Sequence, residues 1–313
     1  MTRPNTFVVG APKCGTTALT TYLREHRQVF FSTPKELNYF SRDESISYRR
    51  RSLGGGVIET DDQYLEFFRD ARANHRVVAE GSVWYLSSRV ALEAIAEFNP
   101  EARVVVMLRN PVDMAVSLHA EEIASFNEDV RDFPTAWDLQ EERACGRSIP
   151  RLCLAPSHLQ FRDVCSLGTQ FERALATFGR SRCHPILFDD LAAEPAAVWA
   201  GLLEFLGLEP DGRTDFPRIN ERRAHRFAPL SLALLARPPF WLLRAATSLK
   251  RALGLQSLGI RPFVVKHNVR RPAPVSLDPE FRSRLVSELS AEIDMLETIL
   301  GRDLGHWRRV QAP

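Results

Sequence analysis

Short apolar runs alternate along the chain with longer stretches whose apolar residues recur every three or four positions, which predicts strands followed by helices. "TFVVG" at 6–10 predicts a strand and leads through "APKC" into a helix over about 15–26. Of the next two stretches, "QVFF" (28–31) and "TPKELNYF" (33–40), one predicts a short strand and the other the start of a helix. Residues 41–60, with "SLGGGVIET", read as a loop. A helix near 61–72, the strand "RVVAEGS" (76–82) and a helix near 87–98 follow. "ARVVVMLRNP" (102–111) is the clearest core strand, because Val104–Leu108 is unbroken and apolar, as a strand covered on both faces requires. "VDMAVSLHAEEIA" predicts a helix after Pro111, 168–178 another, "HPILFDDL" (184–191) a strand and 195–206 a further helix. This alternation predicts an α/β fold with three layers, a central parallel sheet flanked by helices.

Two segments depart from the alternation. Residues 126–165 are polar, hold three of the five cysteines and predict an insert or lid. Within 227–265, "LSLALLARPPFWLLRAATSLKRALGL" mixes Leu, Trp and Phe with Arg and Lys. Its helical spacing gives a basic amphipathic face, which either packs its leucines on the core or meets a membrane surface or a lipid-linked acceptor. An acidic, leucine-rich helix near 278–300 closes the chain, and 1–313 is expected to form a single domain.

Composition narrows the partners. A net charge of +2 gives no steering toward nucleic acid, although "YRRRSL" (48–53) and "VRRP" (269–272) are locally basic. No signal-peptide pattern is visible and no run of about 20 apolar residues predicts a membrane-spanning helix. The five cysteines, 14, 145, 153, 165 and 183, are scattered without a C-x-x-C pair, which argues against zinc or a disulfide framework. A cytoplasmic setting is expected, with peripheral membrane contact through 229–255 as the alternative.

The chemistry starts at "FVVGAPKCGTTAL" (7–19), where Gly10 and Gly15 bracket a turn between strand and helix. Amides of such a turn and of the helix start, with the helix dipole, make a phosphate site. A plain turn with a threonine N-cap is the alternative. Nucleotide triphosphate loops carry lysine directly after the second glycine, whereas Lys13 stands two residues before Gly15. Those proteins also support Mg²⁺ with a carboxylate from another strand. The matching strand here ends in Arg109, with Ser117 eight residues on. A cation at that place calls for a second anion and no metal, so the ligand carries phosphates at two separate places.

"APKCGTTAL" and "VVVMLRNPVDMAVSLHAE" resemble the two cofactor motifs of sulfotransferases that use 3′-phosphoadenosine 5′-phosphosulfate (PAPS), in the heparan-sulfate-type branch and its bacterial counterparts. The likeness runs in pieces over 6–40, 76–120 and 184–225. It implies a P-loop-like fold related to nucleotide kinases. It also implies metal-free transfer of a sulfuryl group to an acceptor hydroxyl, less readily an amine, of a carbohydrate, glycolipid or small metabolite, with release of adenosine 3′,5′-bisphosphate. By that resemblance Lys13, Gly15, Thr16 and Thr17, with Cys14 and Ala18 beside them, hold the 5′-phosphosulfate, and Arg109 and Ser117 the 3′-phosphate. A lysine from mid-loop suits the bridging oxygen that gains charge as the S–O bond breaks.

Glu36 in "PKELNYF" stands where that branch places its general base; a carboxylate capping a helix after Pro34 is the alternative. The other branch uses a histidine, for which His119 is nearest in sequence, but it lies roughly 200° round the helix from Ser117 and reads better as structural. Lys35 is either near the cleft or solvated. "VVKHNVRRPAP" (264–274) resembles a basic loop over the nucleotide, making Lys266, Arg270 and Arg271 candidates for the 3′-phosphate or parts of a basic surface loop. Where many relatives carry lysine in a "GEKSP"-like segment, "AEGSVWYL" has Gly81; Ser82, Trp84 and Tyr85 line the site or belong to the core. A small-molecule or nucleotide kinase and a non-catalytic nucleotide-binding module are the other readings; oligomeric state is left open.

Overall fold

The structure, a computed structural model, describes residues 2–217, the backbone of 224–225 and 269–270, and residues 277–309. The chain divides into one compact unit of Met1–Asn220 with Ser276–Pro313 and a second of Glu221–Val275. In the second, β6 (Ala224–His225) pairs antiparallel with β7 (Val269–Arg270). The amphipathic stretch 227–265 lies outside the described residues.

The larger unit is built on five strands: β1 Thr6–Gly10, β2 Val29–Phe31, β3 Val77–Gly81, β4 Arg103–Leu108 and β5 Cys183–Leu187. All pair in parallel, in the order β2-β3-β1-β4-β5. The central strands are the most apolar because both their faces are covered: Phe7–Val9 and Val104–Leu108 are fully buried. The helices α1 (Thr16–Glu25), α2 (Ile46–Ser52), α3 (Asp61–Leu65), α4 (Ala91–Phe98) and α5 (Pro111–Ala124) precede four short or connecting ones, α6 (Phe133–Asp138), α7 (Gln140–Ala144), α8 (Phe161–Val164) and α9 (Leu167–Phe178). Then come α10 (Phe188–Ala193) and α11 (Pro195–Leu206), and two C-terminal helices, Pro279–Glu288 and Ser290–Leu300. From β1 the chain goes first to one side of the sheet and then, at β4, to the other. The segments leaving β1 and β4 therefore emerge side by side at the carboxyl edge, where ligands of such sheets bind.

Several elements differ from the sequence expectation. No helix forms over 33–40; instead Leu37, Asn38, Tyr39 and Phe40 turn into the core, where Tyr39 stacks on Tyr64. The loop 41–60 contains α2, started by Ser45, whose hydroxyl accepts from the Tyr48 amide. The helix foreseen near 61–72 is α3 plus a 3-10 turn at Glu66–Phe68. β5 stops at Leu187 and "FDDL" is helical, and the closing helix breaks at Leu289. No helix among the described residues is long and apolar enough to cross a membrane.

Residues 126–165 carry α6, α7, a 3-10 turn at Pro156–Leu159 and α8. Arg143 and Glu128, both fully buried, form a two-pronged ion pair at 2.6 and 2.8 Å inside it. His158 ties the segment to α2, α5 and the turn after β3. Its ring stacks on Trp84 and stands between Glu44 (3.4 Å) and Glu122 of α5 (3.6 Å), with the Tyr48 ring edge-on. Burial alone would lower the His158 pKa, but the two carboxylates outweigh it and lift the value from 6.5 to about 9. A raised folded-state value means stabilisation that is complete below about pH 6.5 and is lost as pH rises through about 9. At about 1.36 kcal/mol per pH unit that is on the order of 3 kcal/mol. Urea unfolding at pH 6.5 and 9.5 is expected to show this decline, and His158→Gln to remove it.

Candidate active site

The loop after β1 takes its shape from two glycines. Gly10 has φ 146°, and a side chain there would meet the Val83 carbonyl at 2.6 Å and Leu86 Cβ at 2.8 Å. Glycine thus lets β1 end against the 82–86 turn, which the Leu86 amide fastens to the Val9 carbonyl at 2.7 Å. Gly15, at φ 86°, is the N-cap of α1, and no side chain caps that end. Thr16 and Thr17 lie inside α1, so the threonine-cap alternative does not hold. A helix that opens in this way presents its positive end to an anion.

Cys14 points inward, its Sγ 3.4 Å from the Pro12 carbonyl and 3.8 Å from Met114 Sδ. Burial pushes the thiol up to about 12, so this residue offers its backbone rather than its sulfur. Ala18 is buried, and its amide returns to the Gly15 carbonyl at 3.0 Å.

Lys13 holds a left-handed backbone, φ 62°, and its ammonium lies 3.0 Å from Glu121 of α5. Ser117 and Glu121 are one turn apart on that helix and share a face. Asn110 caps α5 by accepting from the Val112 amide, and Pro111 fits the first turn. Arg109, leaving β4, donates through Nη1 to the Lys13 carbonyl at 2.9 Å and lies over the Phe188 ring at 4.6 Å. Phe188 also fills the space beside Gly15, 3.0 Å from where a Cβ would stand. The two sequence motifs therefore meet, Arg109 having spent one of its five N–H donors on the loop.

Glu36 is held from several directions. Its backbone is left-handed (φ 64°) and its amide donates to the Gly81 carbonyl at 2.9 Å. One carboxylate oxygen accepts from the Val83 amide at 2.9 Å, and the other lies 2.9 Å from Lys35 Nζ. Lys35 also donates to Thr16 Oγ1 at 3.0 Å. With no helix after Pro34, Glu36 is not a helix cap, and Lys35, only 16% exposed, is not a solvated lysine. Left-handed backbone costs a non-glycine residue about 1–2 kcal/mol. Lys13 and Glu36 both carry it, and such outliers gather where chemistry needs them.

Behind Glu36 lies a network that the sequence reading missed. Fully buried Glu80 accepts from Ser82 (2.5 Å), Tyr64 (2.8 Å) and Tyr85 (3.0 Å). Burial raises its pKa to about 7 against the pull of these three hydroxyls. Ser82 in turn accepts from the Asn38 amide and Tyr85 from the Tyr39 amide, both at 3.0 Å. Ser82 and Tyr85 thus brace the segment that carries Glu36. The available signal was a carboxylate inside an apolar strand, which must be partnered when buried.

Other candidates fall away from this centre. His119 pairs with the Val130 carbonyl at 2.8 Å and stacks on Phe133, and burial lowers its pKa; its role is structural. At Gly81 a Cβ would meet the tip of the Phe31 ring at 2.9 Å and Thr20 at 3.4 Å, so a side chain there would have to displace that ring. Lys266, Arg271 and the Arg270 side chain lie outside the described residues.

The pattern of the Sulfotransferase family matches residues 4–212. The chain is 26% identical over 218 residues to bifunctional heparan sulfate N-deacetylase/N-sulfotransferase 3 of Mus musculus, and 25% identical over 217 residues to the corresponding protein 2 of Homo sapiens. Each match covers 66% of this chain but 22% of the relative, so the chain matches about a fifth of those curated proteins' length. The solved sulfotransferase from Alicyclobacillus acidocaldarius shares the fold at TM-score 0.71 and 24% identity, over 99% of this chain and 100% of that one. The matched region spans β1 to α11 and contains the glycine loop, Glu36, Arg109 and Ser117: the chain belongs to the sulfotransferase family.

Proposed function

We propose that the protein transfers the sulfuryl group of PAPS to an acceptor hydroxyl, with Glu36 as general base, and releases adenosine 3′,5′-bisphosphate. One observation carries this reading: the Lys35 ammonium joins Thr16 at the start of α1 to the Glu36 carboxylate, so base and phosphate loop are one ammonium apart. The donor set fits the nucleotide. The uncapped start of α1, Lys13 and the Thr16 and Thr17 hydroxyls suit the 5′-phosphosulfate, and Arg109 with Ser117 suits the 3′-phosphate. Glu36 takes the acceptor proton, and Lys13 neutralises the leaving phosphate oxygen in place of a metal.

The curated relatives are named for heparan sulfate and N-sulfation, which brings carbohydrate acceptors, and amines beside hydroxyls, to the front of the candidates. The test is incubation with radiolabelled PAPS and a panel of desulfated heparin oligosaccharides, a glycolipid and a phenol, with and without EDTA. Label is expected in an acceptor, unaffected by EDTA. Nucleotide binding without transfer to any acceptor would favour the binding-module reading, and Mg-dependent phosphorylation from ATP would favour a kinase.

A further inference from the structure

We propose that Lys35 is a second catalytic cation, which contacts the sulfuryl group in transit while Lys13 meets the leaving oxygen. The inference rests on the donor being PAPS. In the step concerned, the acceptor oxygen bonds to sulfur as the bond between sulfur and the 5′-phosphate oxygen breaks. The electron pair leaves with adenosine 3′,5′-bisphosphate, and the acceptor proton passes to Glu36. Before that proton moves, an anionic carboxylate and an anionic sulfuryl group must approach each other, and like charges a few ångströms apart in a partly dry site repel strongly. Lys35 Nζ lies 2.9 Å from Glu36 Oε1 and donates at 3.0 Å to Thr16 Oγ1, at the positive end of α1 to which the proposed function assigns the phosphosulfate.

The two lysines divide the work. Lys13 is anchored across the loop to Glu121, whereas Lys35 belongs to the segment of the base and is more buried, at 16% against 24% side-chain exposure. β3 offers no substitute from position 81, where Phe31 and Thr20 occupy the space of a side chain. Nor is Lys35 needed to hold Glu36 in place. The Gly81 carbonyl and the Val83 amide fasten that residue through its backbone and its other carboxylate oxygen. A charge placed this way acts on the reacting group itself.

The experiment compares Lys35→Met and Lys35→Arg with the native protein. Calorimetry without acceptor measures PAPS and adenosine 3′,5′-bisphosphate separately, and turnover is measured with an acceptor found in the panel above. For Lys35→Met, bisphosphate affinity is expected within about twofold of native, PAPS affinity about tenfold weaker and kcat about 100-fold lower, with part of each loss restored by Arg. Equal weakening of both nucleotides would show a structural role in the loop and overturn the inference. So would PAPS affinity and kcat within about threefold of native. In both cases the native activity, and with it the proposed function, would stand. A native protein that binds neither nucleotide would overturn that function and this inference together.

Discussion

Glu36→Gln is expected to lower sulfuryl transfer by about 10²- to 10⁴-fold while leaving affinity for adenosine 3′,5′-bisphosphate within about twofold. Glutamine has the same size and keeps an oxygen for the Val83 amide, and the backbone bond to Gly81 is untouched, so the segment stays where it is. What disappears is the carboxylate charge, and with it the proton acceptor of the proposed mechanism and the ion pair to Lys35. The product nucleotide carries no sulfuryl group and no acceptor, so its affinity reports only the loop and the Arg109 side of the site. Steady-state rates with the chosen acceptor, beside calorimetry, separate the two effects. Transfer undiminished in Glu36→Gln would remove this residue as the base.

Much of the fold was legible in the chain because its signals are local. Val104–Leu108 announces a strand buried on both faces, and Gly10 and Gly15 announce a turn that only their backbone freedom permits. Three of the site's main residues, Lys13, Glu36 and Arg109, were named from sequence, and the structure brings Lys13 and Arg109 into direct contact. What was not legible depended on partners far away in sequence. Segment 33–40 looked like the start of a helix, yet burying Leu37, Tyr39 and Phe40 against Tyr64, Tyr85 and Phe98 outweighs local propensity. Glu80 drew no reading from the sequence, because Tyr64 and Tyr85, which with Ser82 bond its carboxylate, meet it only in the fold. Lys35 could be read as near the cleft or as solvated, because nothing in sequence says that residue 16 and residue 36 share one ammonium. "FDDL" read as strand because the apolar run of β5 continues into Phe188, whose ring turns out to serve Gly15 and Arg109.

Lys13→Met carries the other large effect, a fall of about 100- to 1,000-fold in the chemical step, or about 3–4 kcal/mol of barrier. Methionine approximates the length and keeps the apolar stem of lysine, and it removes only the charge to which the proposed mechanism assigns the departing oxygen. Arg109 bonds to the carbonyl of residue 13 rather than to its side chain, so the grip between the two motifs survives. Glu121 loses its partner, but at 50% exposure that pair contributes at most about 1 kcal/mol. The displaced loop lysine is the feature on which the proposed mechanism turns, and single-turnover transfer from PAPS to a saturating acceptor, followed as adenosine 3′,5′-bisphosphate formation by native protein and by Lys13→Met, examines it directly. The mechanism predicts a rate at least about 100-fold slower in the variant with bisphosphate still bound within about tenfold of native affinity. A variant that cleaves PAPS within about threefold of the native rate would contradict it.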